Sequence, residues 1–266
     1  MWTRPLLKSN AKLALQGRYW RSFLLCFLLA LLGVGNVSTN TITQFRYELE
    51  QMRSFNQPPI WTGNNTAQSL FEELYSFLPP ALWGGVALIV LVCLALGFCL
   101  GCFLLMPLQV GRNRYFMENR QAPSPLHTVL TIFRTPYLNV VKVMALSSLK
   151  ILLGTFLIIP GFYWSYCYRM VPYLLAENPY LPVGRAMELS RQIMVGEKFN
   201  TFVLDLSFFG WHLLCSLTLG LGNFFLEPYI QATYAELYAA LRSKALSAGM
   251  TDSSELGGFV RHGSEE

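Results

Sequence analysis

The chain has 266 residues, 53% of them hydrophobic and 13% charged, with a mean hydropathy of +0.37. Soluble domains carry roughly 25% charged residues, and half that share leaves too little polar surface to cover a soluble protein of this size. The net charge of +5 is modest, so nucleic acid is not an expected partner, and the placement of the charges says more than their sum.

Residues 1–22 hold Arg4, Lys8, Lys12, Arg18 and Arg21 and no acid. Leu6, Leu7, Leu13, Leu15, Tyr19 and Trp20 give this segment an amphipathic pattern. The apolar run from Phe23 to Gly35 reads either as a signal peptide or as an uncleaved first membrane span, about 22–36. The long amphipathic lead favours the span. Segment 37–80 is polar and reads as an extracytoplasmic loop, with two helix-like stretches separated by Gln57-Pro58-Pro59 and Thr62-Gly63-Asn64-Asn65.

Residues 81–108 form the clearest span, longer than the roughly 20 residues a bilayer needs, so tilt or protrusion is expected. A basic stretch follows, with Arg112, Arg114, Arg120 and Arg134 against Glu118 alone. The third span, 138–159, carries Lys142 and Lys150. The stretch IIPGFYWSYCYRMVPYLLAENP (158–179) can be an outer loop or a helix returning through the membrane. A loop would leave Arg185, Arg191 and Lys198 outside, against the preference of positive residues for the cytoplasmic side. The returning helix, 161–177 with a turn at Pro160-Gly161, puts them inside. The same logic gives spans at 200–219 and 224–242, joined at 219–223, and a disordered cytoplasmic tail over 247–266. In this six-span arrangement fifteen lysines and arginines fall on the inner side, two in the outer loop, and three within spans.

AKLALQGRYWRSFLL (11–25) aligns without gaps to SRQIMVGEKFNTFVL (190–204), matching Gly17 to Gly196 and Phe23 to Phe202. HTVLTIFRTPYLNVVKV (127–143) is a weaker copy without the glycine. Each unit reads as an interfacial amphipathic helix, a turn and a transmembrane hairpin. The fold class is therefore all-α: a polytopic helical membrane protein with about six transmembrane helices arranged as three hairpins.

The six cysteines, Cys26, Cys93, Cys99, Cys102, Cys167 and Cys215, all lie in apolar runs, which argues against a disulfide framework. Cys99-x-x-Cys102 has no second pair, histidine or carboxylate near it in sequence. It reads, with Gly97-x-x-x-Gly101, as small residues at a helix contact. Ionisable residues inside spans are candidate functional residues. Lys150 and Arg169 fall on the order of 13 Å below the outer turn at 1.5 Å per residue, with Asp205 and Glu236 at neighbouring depths and His212 two turns beyond Asp205. Lys150, Arg169, Asp205, Glu236 and His212 thus form a candidate intramembrane polar cluster. It could be a centre for an ion or anionic substrate, or a charge-pair network fixing helix packing; snorkelling is a further option for Lys150 and Asp205. Glu236 is the expected partner of Arg169, with Glu227 second. Motifs such as H-E-x-x-H, G-x-S-x-G and the P-loop are missing, so no enzyme activity, catalytic residue, cofactor or metal is expected.

The run from Ile158 to Pro179, followed by SRQIMVGEKFNTF, LSFFGWHLL and TLGLGNFFLEPYIQATYAELY, resembles the bacterial multipass membrane proteins of domain-of-unknown-function family 975. The resemblance covers nearly the whole chain except 36–80. It implies an integral protein of the bacterial plasma membrane and no particular activity. The expected function is a non-enzymatic interaction or envelope-maintenance component, with both termini cytoplasmic and the lipid bilayer and other membrane proteins as partners. A small transporter or channel using the mid-membrane charges is the alternative.

Overall fold

Pro5 opens the first helix, where its fixed φ and missing N–H cost nothing, and α1 runs Arg4–Leu15. The computed structural model describes residues 2–34, 83–134, 136–155, 159–216, 218 and 220–259. The expected outer loop 37–80 lies outside the described residues. α2 is Tyr19–Leu31, and α3, Trp83–Leu100, continues through a π-helical turn at Gly101–Leu105 into α4, Met106–Gln121. A 3-10 segment covers Leu126–Arg134. Then follow α5 (Tyr137–Thr155), α6 (Ile159–Cys167), α7 (Val171–Glu177), α8 (Val183–Ile193), α9 (Lys198–Ser216) and α10 (Gly222–Ser247). All regular structure among the described residues is helical.

Two helices are long and apolar enough to cross a membrane, by length and composition: the α3–α4 rod from Leu88 and α5. In the most apolar stretch of the rod only 6% of residues are buried, against 33% for α5. α2 is apolar but has 13 residues, about 20 Å at the helical rise, short of the roughly 30 Å hydrocarbon core.

The rod has two characters. Its first half exposes Leu88, Ile89, Val90, Leu91, Leu96 and Leu100. Its second half, expected to form an inner loop, is instead the hub of the bundle. Val110, Tyr115, Phe116 and Met117 are buried there together with the polar Arg112, Asn113 and Asn119. It packs against the 3-10 segment, α1, α5, α7 and α10. Gly111 permits the closest of these approaches, since a Cβ there would lie 2.1 Å from the Val129 carbonyl oxygen. Charged residues that look like a loop by hydropathy can build a central helix when neighbouring helices supply their partners.

The exposed large apolar side chains gather on α2, α3, α5, α9 and the start of α10, including Leu28, Leu152, Phe209, Trp211 and Phe225. Buried residues concentrate on α7, α8 and the later turns of α4 and α10, with one face of α1. Tyr115, Tyr238, Leu174, Leu189, Met194 and Leu237 are fully buried in the core.

The repeat is visible in the backbone. Gly17 (φ 72°) and Gly196 (φ 77°) both take the left-handed conformation, which glycine adopts without steric cost. The turns match bond for bond. Arg18 N–H donates to Leu15 O and Ser22 N–H to Arg18 O, while Glu197 N–H donates to Met194 O and Thr201 N–H to Glu197 O. Equivalent positions are buried alike: Ala11 and Ser190, Leu15 and Met194, Ser22 and Thr201, Leu25 and Leu204, Leu29 and Phe208. In the weaker copy the 3-10 segment replaces the α-helix, and Pro136 precedes α5 where the others have a short glycine turn.

The expected returning helix 161–177 is two short helices broken at Tyr168–Met170; the first begins at Ile159, so Pro160, expected in the preceding turn, sits in the first turn of α6. Pro172 accounts for the break: its ring clashes with the carbonyl four residues back, at Tyr168, and it has no N–H to donate. The Cys167 carbonyl accepts a hydrogen bond from the Ser190 hydroxyl at 2.8 Å. Residues 248–259, part of the segment expected to be disordered, pack against the bundle. Leu256 and Phe259 are buried, Arg242 donates to the Leu256 carbonyl at 2.6 Å, and the Gly258 N–H donates to Glu177 at 2.7 Å. These apolar side chains and partners supply the burial that composition alone did not foreshadow.

Candidate functional site

The break between α6 and α7 puts Arg169 at the meeting point of α6, α9 and α10. Its guanidinium engages Asp205 as a fork, Nη1 to Oδ2 at 3.1 Å and Nη2 to Oδ1 at 3.1 Å. Paired N–H donors on a carboxylate are among the stronger hydrogen-bond arrangements. The Tyr166 hydroxyl donates to Asp205 Oδ2 at 2.7 Å. The Tyr234 hydroxyl accepts from Arg169 and donates to Asp205 Oδ1. The guanidinium also lies 5.3 Å from the Tyr166 ring centroid and 4.6 Å from that of Tyr234, within cation–π range. The side chains of Arg169 and Asp205 keep 30% and 25% of their exposure. The cluster is a closed knot of complementary charges and hydroxyls.

Of the five sequence-predicted residues, the structure brings Arg169 and Asp205 together and places the other three elsewhere. Glu236, expected opposite Arg169, instead takes a fork from Arg120, at 2.6 Å from Nε and 3.1 Å from Nη2. The reason is angular. Successive helix residues turn by about 100°, so Tyr234 and Glu236 point to nearly opposite sides of α10. Tyr234 faces Arg169, and Glu236 faces α4. Depth along the helix does not by itself choose a partner. Glu227, the second choice, pairs with Arg112 at 3.3 Å. Lys150 is exposed, its Nζ 5.9 Å from the Tyr168 ring. His212 is exposed, with Nδ1 2.9 Å from Asn223 Oδ1.

Sequence reasoning missed a polar stripe on one face of α10. Glu227, Gln231, Tyr234 and Tyr238 follow one another at helical spacing in EPYIQATYAELY, which is the signal that could have found them. Gln231 donates to Glu227 at 2.8 Å. Tyr238 donates at 2.7 Å to Glu177, whose carboxylate is fully buried and also takes Arg242 Nε at 2.7 Å. At the other end, the Arg112–Glu227 pair keeps only 6% and 10% side-chain exposure. Arg112 Nε and Asn113 Oδ1 there have no hydrogen-bond partner among the described residues. Among the described residues no group of three His, Cys, Asp or Glu side chains could hold a metal ion. All six cysteines are free, Cys99 exposed and Cys102 buried.

Residues 1–245 match the model of a family described as "Protein of unknown function (DUF975)". The chain belongs to this family. No curated protein and no solved structure matches it. The matched region contains both glycine-turn units and every member of the Arg169 knot, so these features lie inside the family's own domain.

Proposed function

We propose that this family member is a polytopic protein of the bacterial plasma membrane, crossing six times with both termini in the cytoplasm. Its role is a non-enzymatic one, an interaction or envelope-maintenance component embedded in the lipid and working with other membrane proteins. The observation that carries the reading is that three of the four candidate charges, Arg169, Asp205 and Glu236, are paired, while Lys150 lies exposed beside the Tyr168 ring. Arg169 and Asp205 close on each other through two tyrosines, and Glu236 closes on Arg120. Charges that line a water-filled transport path need to stay open to water and substrate; charges that fix helix packing need partners. Six crossings are supported by the two long apolar helices and by the shared turn geometry of the repeated units. They are also supported by exposed apolar side chains on α2, α9 and the start of α10. A transport role draws on one feature, the broken helix carrying Arg169, since discontinuous helices form binding sites in many transporters.

A cysteine replacing Asp205, in a chain otherwise free of cysteines, decides between the two. A small water-soluble cationic thiol reagent is expected to leave it unmodified in intact membranes. Rapid modification would open a path to water and favour transport. Crosslinking in native membranes is expected to capture a membrane-protein partner, and a solitary monomer would count against the interaction role.

A further inference from the structure

Beside the Arg120–Glu236 pair, between α1 and the hub helix, lies an open cleft of about 330 Å³ lined by Asn10, Leu13, Ala14, Arg18, Arg120 and Glu236. We infer that this cleft binds the phosphate of an anionic phospholipid. Arg18 is the anchor. A guanidinium carries five N–H donors, and among the described residues Arg18's side chain makes one hydrogen bond, from Nη1 to the Asn119 carbonyl at 2.8 Å. That bond holds the group in place on the C-terminal end of α4 and leaves donors for a ligand. Arg120 turns Nε and Nη2 to Glu236, so the carboxylate is already matched and the cleft keeps a net positive charge. Two arginines flanking one opening suit the planar recognition of phosphate oxygens.

The surroundings say that the phosphate comes with acyl chains. Leu13, on the cleft wall, is 67% exposed, and nearby Trp20 is 71% exposed. Exposed tryptophan next to arginine is the composition of a membrane–water interface. Arg4, Lys12, Arg18 and Arg21 make no ion pair among the described residues. Arg4 and Lys12 on the amphipathic α1, followed by Arg18 in the turn and Arg21 at the start of α2, attract anionic lipid, and the cleft gives that attraction a defined seat. This inference rests on the membrane reading above.

The test reconstitutes the full chain in nanodiscs of phosphatidylcholine containing a minor share of phosphatidylglycerol, extracts it in mild detergent, and counts retained lipid by native mass spectrometry. Phosphatidylglycerol is expected to be enriched over phosphatidylcholine. Arg18→Gln is expected to cut retention about tenfold or more, as loss of charge-assisted hydrogen bonds does. Lys12→Gln removes the same charge outside the cleft and is expected to cost no more than about fivefold. Leu13→Glu changes an exposed side chain and is expected to match Arg18→Gln, which guards against a folding defect in the latter. Equal losses for Arg18→Gln and Lys12→Gln would reduce the effect to diffuse charge and overturn the site. Displacement of the lipid by millimolar inorganic phosphate would assign the cleft to a soluble anion and overturn the lipid source. A chain that enters nanodiscs without lipid preference refutes the site alone; one that never enters them refutes the membrane reading as well.

Discussion

Arg169 shows how much a single side chain can hold in place. Its pair with Asp205 joins the α6–α7 break to α9, and Tyr234 ties both to α10. Removing one member leaves the other as an uncompensated charge, at a cost of about 3–5 kcal/mol when the pair is fully buried. The residual exposure of 30% and 25% lowers the expected cost to about 2 kcal/mol by the same logic. Arg169→Leu and Asp205→Leu are each expected to lower the melting temperature in detergent, and the double mutant to recover part of the loss. Arg169→Leu combined with Glu236→Leu is expected to be additive to within about 0.5 kcal/mol, since the two share no partner. Coupling in the second pair and none in the first would reverse the assignment of partners. The sequence made Arg169 and Asp205 visible because charges in apolar runs stand out. Their pairing was not legible, because depth along a helix says nothing about which way a side chain points, and Tyr234 and Tyr166 look like ordinary aromatic residues.

The repeated unit makes the element scale legible: a gapless alignment placed Gly17 on Gly196, and both adopt a positive φ. No heavy atom lies within 4 Å of an added Cβ at either position, so substitution there tests backbone strain without steric crowding. A left-handed conformation costs a residue with a Cβ about 1–2 kcal/mol, and less for asparagine. Gly17→Ala and Gly196→Ala are each expected to destabilise by about 1 kcal/mol, with the asparagine variants milder; melting curves of the four proteins check this. Alanine variants as stable as the parent would mean that the turns are not held in this conformation. The C-terminal strap, residues 248–259, was less legible, since its Ser, Gly and acidic composition resembles a disordered tail. It is held by Arg185, which bonds Glu255 at 2.7 and 2.8 Å and the Met250 carbonyl at 2.8 Å. Hydrogen bonds from Arg185 hold the Glu255 carboxyl below its ordinary value of 4.5. A carboxyl whose folded value is depressed stabilises the strap above the ordinary value and loses that contribution as pH falls through the folded one. Amides 250–258 are thus expected to be protected from hydrogen exchange at neutral pH and to lose protection below the ordinary carboxylate range. Glu255→Gln is expected to reduce protection already at neutral pH, and unchanged exchange in that variant would assign the anchoring to Leu256 and Phe259 alone.

Across the whole molecule, hydropathy marked the order of apolar segments but not the layer to which each polar segment belongs. The stretch from Arg112 to Arg120 has the composition of a loop, yet it forms the hub because Glu227, Glu236 and Glu118 each meet one of its arginines. Those partners come from across the bundle or from its own helix, which a linear hydropathy profile does not register. The six-span topology then becomes a question of which exposed positions share a side of the membrane. Ala122 at the end of the hub helix, Glu188 on α8 and Ser253 in the strap are all exposed, whereas Ser124 and Ser190 are buried at 2% and 0% exposure and would make poor reporters. Single cysteines at Ala122, Glu188 and Ser253, in a chain with its native cysteines replaced, are expected to react with an impermeant thiol reagent only after the cells are opened. A cysteine at Ser54, within the segment 37–80, is expected to react in intact cells. The position that carries the argument is Glu188. It lies beyond the broken hairpin, whose helices α6 and α7 have 9 and 7 residues, or about 14 and 10 Å at the helical rise. Neither helix alone reaches across, so a sixfold crossing requires both, with the Arg169 break between them, to run through the bilayer as one path. Labelling of the Glu188 cysteine from outside would take that hairpin out of the membrane and leave the positive charges of α8 on the outer face.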